Sequence, residues 1–184
     1  EPSPAMREVL EQGMAEYGIT DIEILPERWP AAAEGVAVDC ALMAHVGYDL
    51  PDIGAFLDAF EGAAREWCCA VTMDRAPSGG FGKLWETVHG EERYDLPAMR
   101  ELLQVLLARG ATPEVRIVER RLRVMDEDDL RASARRRLWL REGSEKDRKL
   151  QAEIDAMLAR GERNWGFPQA VAVIVWQPPA AESR

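Results

Sequence analysis

The chain has no apolar run of bilayer-spanning length, and it does not open on the basic and then apolar stretch of a secretory signal. A cytoplasmic location without a membrane partner is therefore expected. Cysteine is scarce. Cys40, Cys68 and Cys69 are odd in number and lack CxxC spacing, and adjacent strand positions point to opposite faces, which argues against a disulfide framework or a zinc site. Only His45 and His89 could add imidazole, and His89 in "ETVHGEE" has no metal-ligand spacing to Glu91 and Glu92. The acids from Asp126 to Asp129 do not follow a calcium-loop pattern and read as a helix N-terminus, so no metal is expected. The glycine-bearing loop "APSGGFGK" (76–83) is no P-loop. That pattern would need Gly at 77 and Ser or Thr at 84, where Pro77 and Leu84 stand.

Net positive charge is also absent. The formal charge is −10, and it is unevenly placed: residues 1–112 carry 8 basic and 20 acidic side chains, residues 113–184 carry 15 and 13. An acidic body opposes approach to phosphate backbones, which excludes nucleic acid as the expected partner. The counter-feature is an arginine cluster, Arg116, Arg120, Arg121, Arg123, Arg131 and Arg135–Arg137. Its plainer reading is a solvated helix face and strand edge paired with Glu114, Glu119 and the acids at 126–129. Its sharper reading is recognition of an anionic substrate or partner.

With 184 residues and 47% hydrophobic content, the chain can bury one sizeable core. Short apolar runs alternate with amphipathic windows, the signature of an α/β domain. The pattern predicts helices over 6–18, 50–66, 81–90, 96–110, 126–140 and 144–161. Strands are predicted over 19–26, 36–46, 67–73, 113–124 and 170–177, followed by a loose tail over 178–184. "VAVDCALMAHV" (36–46) is nearly all apolar and reads as a central parallel strand covered on both faces. The strand at 113–124 alternates and should turn one face to solvent. No helix separates the strands at 19–26 and 36–46, so those two should not be direct parallel neighbours.

This series resembles the class I S-adenosylmethionine-dependent methyltransferases, from their second sheet strand to the C-terminus. Glu1 with "PSPAMREVL" resembles the junction at which the second strand ends in an acid and the next helix begins. "ITDIEILPERWP" resembles the third strand and its exit, and "VDCALMAHVGYDLPD" resembles the fourth strand, at whose end methyl transfer occurs. "FLDAFEGAAREWCCAVTM" resembles the following helix and fifth strand. The runs at 113–124 and 170–177 fit the family's antiparallel last pair, with a helical insert over 126–161 between them. The resemblance implies a Rossmann-like, mostly parallel sheet with that antiparallel pair. It departs in one respect: the family's first strand and glycine-rich loop are missing, and no GxGxG occurs. The chain then reads as a single partial methyltransferase domain, a C-terminal part or one half completed by another chain.

On that resemblance the cofactor is S-adenosylmethionine. Glu1 would hold the ribose hydroxyls through charge-assisted hydrogen bonds, and Glu27, Arg28 and Trp29 would flank the adenine. Ala44 and His45 would line the sulfonium. His45 and Tyr48 are the catalytic candidates, positioned where ligands collect at the carboxyl ends of strands. The plainer readings are a free terminus for Glu1, an exposed Glu27–Arg28 pair, a sheet-capping Trp29 and a structural His45. Trp139, Trp165, Phe167 and Trp176 read as core packing. The acceptor would be a small molecule or a protein, and Arg135–Arg137 on the insert would select an anionic one. The alternative function is a non-catalytic binding or interaction module that lacks a complete cofactor site and acts through a partner chain. Exposed edges on the strands at 19–26 and 36–46 would then favour a homodimer.

Overall fold

In the computed structural model, residues 1–120 and 125–179 are described. The chain is an α/β protein with an open, mixed four-stranded sheet: β1 (Val38–Ala44), β2 (Ala64–Met73), β3 (Glu114–Glu119) and β4 (Ala170–Trp176). The strand order is β1-β2-β4-β3. β3 and β4 pair antiparallel in the register Ile117 to Ala172, as expected for the last two strands. The helices are α1 (Pro4–Tyr17), α2 (Ile53–Ala63), α3 (Trp85–His89), α4 (Met99–Ala108), α5 (Glu127–Arg137) and α6 (Glu145–Ala159). Among the described residues no helix is long and apolar enough to cross a membrane. The end of the strand predicted over 113–124 lies outside the described residues from position 121, as does the tail from 180.

Two compact units divide the chain. Of the described residues, the first comprises Glu1–Ala41, Pro51–Cys68 and 177–179; the second comprises Leu42–Leu50 and those of Cys69–Trp176.

In the first unit, Ser3 caps α1 by accepting from the Met6 N–H, Pro4 sits at the first helical position, and Gly18 ends the helix at φ 67°. The apolar positions of α1 nevertheless remain in water, with Val9 58% exposed. Asp52 caps α2 through the Ala55 N–H (3.0 Å), and Phe56, Leu57, Phe60 and Ala63 are buried along that helix. The strand expected at 19–26 does not form; the segment is irregular, with Ile19 and Ile22 exposed. Alternating β-branched residues make a strand only where a neighbour completes the hydrogen-bond ladder, and no described strand pairs with this segment.

β1 also differs from expectation. It stands at one end of the strand order rather than the middle, and only one of its faces is covered: Leu42 is 64% exposed while Ala41 and Met43 are buried. An apolar run reports what a strand tolerates on its faces and not its place in the sheet. β3 ends the order on the other side and is exposed on both faces, not on one.

The second unit has its own core. Phe81, Leu84 and Val88 pack with Leu130, Ala134 and Leu138 and with Leu150, Ile154 and Met157, so α5 and α6 close over α3 and the turn before it. Asp126 caps α5 through the Asp129 N–H (2.8 Å), and Ser144 caps α6 through the Asp147 N–H (3.1 Å). Asp74, just past β2, accepts from the Gln169 and Ala170 N–H groups and fixes the start of β4.

Candidate functional site

The carboxyl ends of β1 and β2 are tied together by three contacts in the second unit. The His45 N–H donates to the Val71 carbonyl (2.8 Å), the Met73 N–H donates to the Tyr48 hydroxyl (2.8 Å), and that hydroxyl lies 3.4 Å from His45 Nδ1. His45 holds this corner at φ 55°, a left-handed conformation that a side chain other than glycine adopts at a cost. Tyr48 is buried among Ala76, Ala98 and the half-buried Met73, whereas Ala44 and His45 are exposed. The imidazole is therefore accessible while its neighbour is locked in the core. Tyr48→Phe should leave the Met73 N–H without its partner and cost about 1–2 kcal/mol, read as a shift in the urea midpoint. A change below about 0.3 kcal/mol would mean that this hydroxyl does not anchor the strand ends.

A groove of about 420 Å³ opens beside this corner, sharing Met73 with it. Arg120, Arg136 and Arg137 line it, together with Ser133 and Phe167. Arg120 Nη1 donates to the Pro168 carbonyl (3.4 Å) and touches Met73 Sδ (3.7 Å). Arg137 Nη1 donates to the Pro77 carbonyl (2.8 Å), and its guanidinium lies over the Phe167 ring at 5.1 Å. A Cβ at Gly80 would stand 2.5 Å from that ring, so only glycine admits Phe167 in this place.

The remaining expected residues lie in the first unit. The carboxylate of Glu1 accepts from the Ser3 N–H through Oε1 (2.9 Å), and its ammonium donates to the Leu25 carbonyl (2.7 Å). Oε2 has no partner among the described residues and is available to a hydroxyl donor. Glu27 and Arg28 are exposed, and Glu27 lines a hollow with Glu23 and Glu34. Trp29 is engaged as packing: Nε1 donates to the Phe56 carbonyl (3.3 Å), and the ring meets Phe56 and Phe60. The Trp29 N–H is thus already taken.

His89 has a structural position. Its ring stacks on Trp85 (4.1 Å), Nε2 lies 3.0 Å from the Leu138 carbonyl and Nδ1 lies 3.2 Å from Lys146 Nζ. Protonation at Nε2 alone satisfies both contacts, because the carbonyl can only accept and the ammonium only donate.

Two residues at the site escaped sequence reading as site residues. Met73 looks like the end of an ordinary apolar strand, and Phe167 looks like one more core aromatic; no local signal marks them. No protein-family model matches this chain, and no curated protein matches it.

Proposed function

We infer that the chain serves class I S-adenosylmethionine-dependent methyl transfer on a Rossmann-like sheet, to a small-molecule or protein acceptor. The observation that carries the reading is the His45–Tyr48–Met73 junction at the joined carboxyl ends of two neighbouring strands, the region where open α/β sheets place their ligands. The antiparallel β3–β4 pair at the end of the chain supports it.

When bound, S-adenosylmethionine supplies an electrophilic methyl group. The backbone at Ala44 and His45 would border its reacting end. In the tautomer that carries its proton on Nδ1, His45 donates to the Tyr48 oxygen and Nε2 would accept the substrate's proton; in the other, the Tyr48 hydroxyl donates to Nδ1 and Nε2 is a donor that positions the acceptor. In-line displacement depends chiefly on positioning, and the locked Tyr48 holds the imidazole for it.

A second reading, a non-catalytic binding module working through a partner chain or a homodimer, is favoured by the absence of a GxGxG loop from these 184 residues. Calorimetric titration of S-adenosylhomocysteine separates the two. It is done on this chain and, where the native gene encodes residues upstream of Glu1, on the longer product. Binding to either supports methyl transfer, and His45→Ala should then lower turnover by about 10²-fold with a smaller change in ligand affinity. Binding to neither favours the module.

A further inference from the structure

The α5 arginines divide into two sets by helical spacing. Arg131 and Arg135, four residues apart, face α6 and are neutralised there. Arg131 pairs with Glu127 and Asp155, and these hydrogen-bonded carboxylates raise its pKa above the ordinary arginine value. Arg135 pairs with Asp147 (3.1 Å) and Glu142 (3.3 Å). Ser133, Arg136 and Arg137 occupy another face and line the groove that Arg120 completes.

The three groove arginines have no carboxylate partner among the described residues. Arg120 and Arg137 are oriented by backbone carbonyls, which hold a guanidinium in place without cancelling its charge. Arg136 makes no side-chain hydrogen bond or ion pair among the described residues. Asp129 also reaches the lining, but it has a partner of its own. The rest of the wall is apolar and polarisable: Met73, Met125, Pro77 and Phe167. In a chain of net charge −10, three convergent unneutralised arginines beside an aromatic and two thioethers form a local site of opposite sign.

We propose that this groove binds a small organic anion, a carboxylate attached to a flat apolar body. The planar guanidinium fork suits a carboxylate, and the Phe167, Met73 and Met125 surface suits the body. Because Met73 joins the groove to the Tyr48–His45 corner, this anion is the acceptor class; that role rests on the methyl-transfer reading, whereas the anion binding does not.

The test is calorimetric titration of 2-naphthoate and of its uncharged analogue 2-naphthamide into the chain. The expected result is naphthoate binding at least about tenfold tighter than naphthamide. Arg136→Glu should abolish that preference. Arg141→Glu makes the same charge change at an exposed arginine outside the groove and should leave affinity within about twofold. Both sites are exposed, and matching urea midpoints for the two variants would show that neither perturbs the fold. Equal affinity for the amide, equal losses in both variants, or no naphthoate binding would overturn the proposal. Naphthoate binding with no S-adenosylhomocysteine binding to this chain or to a longer native product would sink the methyl-transfer reading and leave the groove standing; the reverse would sink the groove alone.

Discussion

Phe81→Ala is expected to lower the stability of the second unit by about 4 kcal/mol. Phe81 is wholly buried, and its ring meets Trp165 at 5.8 Å and Phe167 edge-on at 5.2 Å. Truncation opens a cavity where α3, α5 and α6 converge, and it removes the edge contact that helps hold Phe167 beneath Arg137. The backbone at Phe81 is left-handed, with φ 64°, and alanine inherits that strain in full while glycine does not. Phe81→Gly should accordingly be no less stable than Phe81→Ala, although it removes one more carbon. Urea unfolding followed by tryptophan fluorescence reads both, because Trp85 and Trp165 pack against this core. A loss under about 1 kcal/mol for Phe81→Ala would show that the ring does not hold the core.

The second large effect is at Asp147. This carboxylate is 4% exposed and accepts from Arg135 Nε (3.1 Å), Gln151 Nε2 (2.9 Å) and the Gly143 N–H (2.8 Å). Removing it leaves those donors unmatched at the α5–α6 junction, and Asp147→Ala should cost about 3 kcal/mol at pH 7. The pH dependence follows from the same contacts. Burial pushes the carboxyl's pKa up, but the bonds from Gln151, Gly143 and Arg135 outweigh it and hold the pKa below the ordinary aspartate value. A depressed folded pKa means that the carboxylate's stabilisation is complete above the unfolded value of about 4 and fades as pH falls through the lower folded value. The stability gap between the native chain and Asp147→Asn should therefore narrow from pH 7 to pH 3, measured as the difference in urea midpoints. A gap unchanged over that range would contradict the assigned charge pairing.

Local chemistry made most of the fold legible. Asp126, first of the acids read as a helix N-terminus, starts α5 because its side-chain oxygen satisfies an orphan N–H within the same turn; Ser3 and Ser144 do the same for α1 and α6, and Gly18 stops α1 because it reaches a left-handed φ cheaply. The α/β alternation was legible for the same reason, whereas the antiparallel pairing of the last two strands was expected only from the family resemblance. Periodicity failed where long-range pairing decides. Residues 19–26 have a strand's pattern without a paired neighbour, and β1 has a central strand's composition at the end of the strand order.

The candidate site divides along the same line. His45 and Tyr48 are three residues apart, so their adjacency at a strand exit was open to sequence reading. Their link to the Met73 N–H, 25 residues further on, was not. The arginine cluster was visible as composition, but its charge state was not. Which guanidiniums are neutralised depends on which face of α5 meets α6, and which stay available depends on where Pro77 and Pro168 place their carbonyls. The amino-acid sequence by itself determined the helices, their caps, the α/β class and the store of charge, because those rest on contacts within a few residues. Only the tertiary structure decided strand order, the His45–Tyr48–Met73 corner and the unpaired arginine groove, because each depends on groups that the chain brings together from tens of residues apart.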